Sequence, residues 1–264
     1  MKKLPFFFLA LLLVSMAACS KQNIETQNAD IASIEYTQKM LPLPEGMGLI
    51  RTHCVNNSQV LIGVMGDKPL FGGMNFDGSG EISVLPDGYE YIYAVCNVGD
   101  GVAVLAGDYP SQYRTADGGD IDNLEPGGEL SILLYDMNNK LVSETLLSVK
   151  YIDKDMNFNL LLYVDDCYLL MSEMYLMGIN QKGVEVGRIA KEGGNSFSSM
   201  CLYGDSVIIS RSDYSSTISQ IYNLDIENFI LREKLNIDST IVLGLGIAED
   251  GNLLINDAII VEAN

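Results

Sequence analysis

The chain has 264 residues, with 35 acidic against 16 basic side chains and a formal charge of −19. That balance excludes a phosphate-bearing partner such as nucleic acid and disfavours electrostatic docking on anionic lipid. Apolar content of 48% with only 19% charged residues excludes a disordered chain and leaves room for one domain with a substantial core.

The first predicted element is an export signal. Lys2 and Lys3 precede an apolar run from residue 4 to 14, followed by Ser15, Met16, Ala17, Ala18, Cys19 and Ser20. A positive start, a greasy segment too short to span a bilayer and small residues before a cut are the parts of a secretory signal. Two alanines directly before Cys19 resemble the lipobox of bacterial lipoproteins, although Met16 stands where that family prefers leucine. The resemblance implies cleavage after residue 18, diacylation of the Cys19 thiol (palmitate-type chains), and a domain held outside the cytoplasm on a cell or outer membrane. Removing residues 1–18 takes away two lysines and no acid, leaving 14 bases against 35 acids and a charge of −21. Residues 19–30 are polar and patternless and read as a flexible tether. Residues 31–40 read as a strand.

From there the sequence shows short apolar stretches broken by Asn, Asp and Gly, the pattern of antiparallel hairpins. Five such hairpins superpose: 49–54 with 60–64, 91–96 with 102–105, 159–163 with 168–171, 199–203 with 207–210, and 242–246 with 252–255. The second strands begin at 60, 102, 168, 207 and 252, so the intervals are 42, 66, 39 and 45 residues. The long interval contains an insertion, residues 108–128. Third and fourth strands follow each hairpin, joined by turns at 76–80, 135–139, 179–183 and 222–225. A period near 40 with four strands per unit resembles bacterial β-propeller lipoproteins of the broad WD40-like or YVTN-like kind.

The expected fold is therefore all-β, a β-propeller of four-stranded blades over residues 31–264. Five blades are expected, with segment 31–40 supplying the fourth strand that the fifth blade lacks before Asn264, because an open sheet edge demands pairing. The alternative is a partial arc of a larger propeller. With no tryptophan in the chain, the family's Trp-based motifs are absent, and no catalytic residues carry over.

Cys54, Cys96 and Cys201 each fall six residues before a second-strand start, which predicts equivalent small packing positions and free thiols; Cys167, at a second-strand start, has no partner that the repeat predicts. His53 is the only histidine, and no Cys-x-x-Cys is present, so a zinc site or a histidine-based triad lacks its parts. An acid follows every second strand: Asp67, Asp108, Glu173, Asp213 and Asp257. These are expected to ring one mouth of the propeller, with Asp117, Asp120, Asp122 and Glu125 of the insertion above them. Oxygen clusters of this kind suit Ca²⁺ or a cationic ligand; no other cofactor is expected.

Three functions fit. The first is a noncatalytic binding or scaffold module for a protein, peptide or glycan, monomeric and reached by no nucleic acid. The second is the amino-terminal propeller of a longer solute-binding receptor. The third is a carbohydrate-active enzyme, which would need a pair of inward-facing carboxylates.

Overall fold

The structure is a computed structural model and describes residues 45–55, 58–65, 68–74, 80–107, 129–148, 158–247, 251–256 and 259–261, all in the compact unit Leu41–Asn264. The predicted strand 31–40 lies outside these, as does the insertion 108–128.

Nineteen strands follow one another among the described residues. The first sheet holds β1 (Met47–Val55), β2 (Ser58–Met65), β3 (Lys68–Met74) and β4 (Gly80–Val84). The second holds β5 (Tyr91–Val98), β6 (Gly101–Gly107), β7 (Leu130–Tyr135) and β8 (Leu141–Leu146). The third holds β9 (Leu160–Val164), β10 (Cys167–Met171), β11 (Tyr175–Asn180) and β12 (Glu185–Ala190). The fourth holds β13 (Asn195–Tyr203), β14 (Ser206–Asp213), β15 (Ile218–Asp225) and β16 (Ile230–Ile237). The fifth has three: β17 (Leu245–Ile247), β18 (Leu253–Ile255) and β19 (Ile259–Val261). Every sheet is an antiparallel meander in chain order.

The hairpins repeat to the residue. The first two strands of each four-stranded sheet are joined by a two-residue loop, seen in the terminal register pairs Val55↔Ser58, Val98↔Gly101, Val164↔Cys167 and Tyr203↔Ser206. Asp165 and Asp166 both take positive φ (48° and 60°), whereas Gly99 and Gly204 (each 57°) take it at the first loop position only. These are the two mirror-image turns whose twist matches paired strands, with the residue types each requires. The first strand of three sheets also carries a bulge at one position, between Leu49 and Arg51, Ile92 and Ala94, and Phe197 and Ser199. Ile92 and Phe197, at this bulge, are buried, as is Phe158 at the equivalent point before β9.

Successive sheets pack on one another. The first strand of each sheet lies against the first strand of the next, β1 on β5, β5 on β9, β9 on β13 and β13 on β17. One apolar core fills each gap between successive sheets: Ile62, Phe71, Leu133 and Tyr135 between the first two, and Tyr93, Leu105, Phe158 and Leu170 in the next. Leu169, Phe197, Val207 and Ile209 fill the third gap, and Ile208, Ile221, Val242 and Ile255 the fourth. Strands β8 and β16, at the outer edges, are largely exposed. This is a β-propeller-like repeat fold.

The turns between third and fourth strands of the second, third and fourth sheets lean back on the preceding sheet. Ser83 Oγ donates to the carbonyl of Asn139 at 3.1 Å, and Ser148 N donates to the carbonyl of Gly183 at 2.7 Å. The Phe229 ring covers Gly178 and Gly187, which are register partners on β11 and β12. Asn139, Gly183 and Phe229 all have positive φ. In the first two turns an Asx side chain opens the loop: Asp136 Oδ1 accepts from the backbone N of Asn138 and Lys140, and Asn180 Oδ1 accepts from those of Lys182 and Val184.

Two expectations are corrected. The predicted turn at 222–225 is strand: β15 continues through Asp225, because Leu224 is buried in the inter-sheet core and the Asx residue of the turn is Asp225, which accepts from Asn228 N at 3.1 Å. Cys54 is not equivalent to Cys96 and Cys201. Counting back from the two-residue loops, the position of Cys96, Leu162 and Cys201 is occupied in the first sheet by His53. Alignment on the second strand hid the offset, and one residue of offset moves a position to the other face of a strand.

Candidate functional site

Strand direction places the turns between second and third strands at the same end of the sheets as the connectors leading to the next sheet. Backbone bonds at that end tie them together: Glu90 N to Gly107 O, Lys191 N to Met174 O, and Phe197 N to Glu173 O. Gly107 and Glu129, the described residues on either side of 108–128, both lie at this end.

At this end, between the first two sheets, a cleft of about 460 Å³ is lined by Asp87, Gly88, Tyr89, Glu129, Ser131, Glu144 and Leu146. Asp87, Gly88 and Tyr89 come from the connector between β4 and β5, Glu129 from the residue before β7, and Glu144 and Leu146 from β8. The Tyr89 hydroxyl donates to Glu144 Oε1 at 2.6 Å. Burial, reinforced by that carboxylate, pushes the Tyr89 phenol up to about 12, so it stays a neutral donor at physiological pH. Asp87 pairs with Lys68 at 2.9 Å, and that ammonium holds its carboxyl below the usual range. The cleft is thus rich in carboxylate oxygen, with a tyrosine and a leucine as less polar walls.

Of the five acids predicted to crown one mouth, Glu173 and Asp213 are described, and both lie at the cleft-bearing end. Glu173 is in the turn after β10. Asp213 ends β14 and pairs in register with Asn195 at the start of β13. The Asp213 carboxylate accepts from Ser215 N at 2.9 Å, Ser215 Oγ at 2.7 Å and Ser216 Oγ at 2.7 Å. These bonds hold its carboxyl down at about 2. Its lone pairs serve its own turn. Asp67, Asp108 and Asp257 of that crown lie outside the described residues, as do Asp117, Asp120, Asp122 and Glu125 and the lipidation candidate Cys19. Among the described residues, no three His, Cys, Asp or Glu side chains stand close enough to share a metal ion.

Cys96, Cys167 and Cys201 are free thiols. Burial pushes Cys96 up to about 12 and Cys201 up to about 11, so neither is a nucleophile at neutral pH. The residues that build the cleft carry no signal in the repeat pattern, since they sit in a connector, at the root of the insertion and on an outer strand. Only the insertion itself marked this end of the second sheet.

No family model matches the chain, and no curated protein matches it. Among solved structures, a protein of unknown function from Bacteroides caccae is similar, with 15% identity, a TM-score of 0.54, and coverage of 81% of this chain and 72% of that one. The Dos1 propeller (12% identity, TM-score 0.46, 75% of this chain and 49% of that one) and the Neurospora crassa Pan2 WD40 domain (8%, 0.45, 80% and 61%) are more distant. The chain spans about half to two-thirds of the length of those two. At these identities the likeness concerns the fold alone.

Proposed function

We propose that the chain is a noncatalytic binding or scaffold module, lipid-anchored through Cys19 outside the cytoplasm, on a cell or outer membrane. Its cleft-bearing end meets a protein, peptide or glycan. The observation that supports this is the cleft between the first two sheets at the root of the insertion, where connectors, a second-to-third-strand turn and an outer strand converge. Connecting segments at the end of a rigid sheet array are where propellers and other β-folds place recognition surfaces. In this reading the ring has five blades, and residues 31–40 complete the fifth sheet beside β19. The spacing supports it: residues 41–46 would join that strand to β1, comparable with connectors 85–90, 191–194 and 238–244. Deleting 31–40 should then lower the melting temperature markedly; an unchanged melt would remove the closed ring. Ca²⁺ held by Asp117, Asp120, Asp122 and Glu125 belongs to the same proposal, and millimolar Ca²⁺ should raise the melting temperature if they hold it.

The test of function is capture from envelope extract by the immobilised mature protein, compared with the Glu129→Gln/Glu144→Gln variant. A partner retained by the first and lost by the second supports the reading. Hydrolysis of aryl glycosides or polysaccharides, abolished by a single carboxylate substitution, would replace it with the enzyme reading.

A further inference from the structure

The gap between the fourth and fifth sheets is built from different residues than the other three. Counting from the two-residue loops, the fifth residue of the second strand is Ile62, Leu105, Met171 and Ser210 in the four-stranded sheets, in chain order. All four are buried, and the first three belong to the apolar core shared with the next sheet. Ser210 lies on the same face of β14 as Ile208, which packs in the fourth gap. Likewise the pair Ser212↔Ser219 takes the register position of Gly107↔Leu130 in the second sheet, so a buried serine stands where Leu130 fills an apolar core. Ser210, Ser198, Ser212 and Ser219 form a chain of hydroxyls 2.9, 3.2 and 2.8 Å apart. These serines grip the backbone that leads into the fifth sheet. Ser219 Oγ accepts from Val242 N at 2.9 Å and donates to the carbonyl of Thr240 at 2.8 Å, and Ser212 Oγ donates to the carbonyl of Val242 at 3.1 Å. Ser199 Oγ accepts from Leu245 N at 3.0 Å. The apolar seal of this gap, among the described residues, is Ile208, Ile221, Val242, Leu253 and Ile255, with Cys201 packed against it.

The same backbone is tied to β18 from the other side. Asn256 Oδ1 accepts from Leu243 N at 2.7 Å and Gly244 N at 3.1 Å, and its Nδ2 donates to the carbonyl of Ile241 at 2.6 Å. Just before it, Asp238 and Ser239 form an exposed turn, with Ser239 at a φ of 59°.

We propose that the fifth sheet and residues 240–244 form one unit that swings off the fourth sheet about the Asp238–Ser239 turn, parting the serine seam and baring Ile208, Ile221 and Cys201. An apolar gap resists opening in proportion to the surface it rewets, whereas a hydroxyl-to-backbone bond is exchanged for a bond to water at small net cost. The Asn256 bonds keep the departing segment in one piece. The hydroxyl chain from Ser210 to Ser219 is internal to the fourth sheet, so the bared face keeps its polar groups paired. Moving elements come from the least stable part of a fold, and three-residue strands over a small apolar seal place the fifth sheet there. The movement is independent of what the cleft between the first two sheets binds.

Hydrogen exchange of the full mature protein, read by mass spectrometry alongside native-state alkylation of its thiols with iodoacetamide, tests it. Peptides covering 241–247 and 253–256 are expected to exchange at least tenfold faster than those of β5, β6, β9 and β10. Low urea should accelerate alkylation of Cys201 before that of Cys96 and Cys167, which lie in the second and third gaps. Ser219→Ala, which removes two of the bonds to the connector, should raise both the fifth-sheet exchange and the Cys201 rate at least threefold and leave the other two thiols unchanged. Fifth-sheet exchange at the pace of the central sheets, or a Cys201 rate that is flat in urea or rises only together with the other thiols, overturns the proposal. So does faster exchange in Ser219→Ala with Cys201 unmoved, which is fraying of short strands without departure of the sheet. The urea series on the parent protein decides the matter even if melting curves show that the variant does not fold.

Discussion

The Phe229 ring of the fourth sheet lies directly across Gly187 of the third, and its far edge reaches the cross-strand partner Gly178. A methyl at either glycine would enter the ring. Bare backbone under an aromatic ring lets the turn of one sheet seat on the outer strands of its neighbour.

Gly187→Ala should therefore destabilise the protein by about 1–3 kcal/mol through overpacking. Phe229→Ala should lose about 2 kcal/mol through lost burial. In the double variant the two losses should fail to add, since the alanine methyl then occupies the space left by the ring. Denaturant midpoints of the three variants check this.

Asn139 and Gly183 occupy the same left-handed position in successive turns, at φ of 56° and 78°. Asn139→Gly is expected to change stability by less than about 0.5 kcal/mol, because the position already tolerates asparagine. Gly183→Ala is expected to cost more than about 1 kcal/mol, because its methyl would also meet the carbonyl oxygen of Leu146 in the preceding sheet. Thermal melts of both variants separate these outcomes.

Arg211 is 5% exposed and lies with its guanidinium 4.4 Å from the Phe197 ring centroid and 5.6 Å from that of Tyr222. It donates to the carbonyl of Ala190 at 3.0 Å, linking β14 to the end of the third sheet, while its Nε has no partner among the described residues. Arg211→Lys should lose about 1–2 kcal/mol, because a point charge cannot stack on both rings and reach the carbonyl. Arg211→Met should be tolerated at least as well as lysine, since a buried cation with no carboxylate partner among the described residues gains little over an apolar residue of similar size. Unfolding curves at low and high salt compare the two.

Alkali should weaken the fold over a defined window. Cys96, Tyr89, Tyr135 and Tyr168 are all raised to about 12 in the native state, chiefly by burial, from 9 for the thiol and 10 for the phenols. The native state then holds protons that the unfolded chain releases, so stability is complete below about pH 9 and falls as pH rises towards 12. Cys96→Ala should make the decline that begins near pH 9 shallower in a melting series without moving its onset, because burial also raises the thiols of Cys167 and Cys201 above 9.

Acid acts through Asp213 and Asp225, both held down at about 2 by hydrogen bonds from Ser215 and Ser216 and from Arg232 and Asn228 respectively. A depressed native carboxyl stabilises above the unfolded value and loses that contribution as pH falls through the native one. Denaturant midpoints between pH 5 and 2 should decline less steeply in Asp213→Asn than in the parent protein.

The strands were legible because their signals are local. Alternating apolar residues around Gly99-Asp100, Asp165-Asp166 and Gly204-Asp205 specify both the hairpins and their two-residue loops. The turn at 226–229 was missed because Asn223 looks like a turn residue, whereas the burial of Leu224 keeps β15 extended. The His53 and Cys54 positions were exchanged because an alignment by eye tolerates one residue of slip that a pleated strand does not.

By itself the sequence determined an all-β chain of repeated four-stranded meanders, since period-two patterning and turn chemistry act within a few residues. Tertiary structure alone decided that Tyr89 meets Glu144, that Phe229 covers Gly187, and that Asp87, Glu129 and Glu144 share a cleft. Those meetings join residues from separate strands and connectors, and they depend on how neighbouring sheets stack around each apolar core, which no periodicity along the chain encodes.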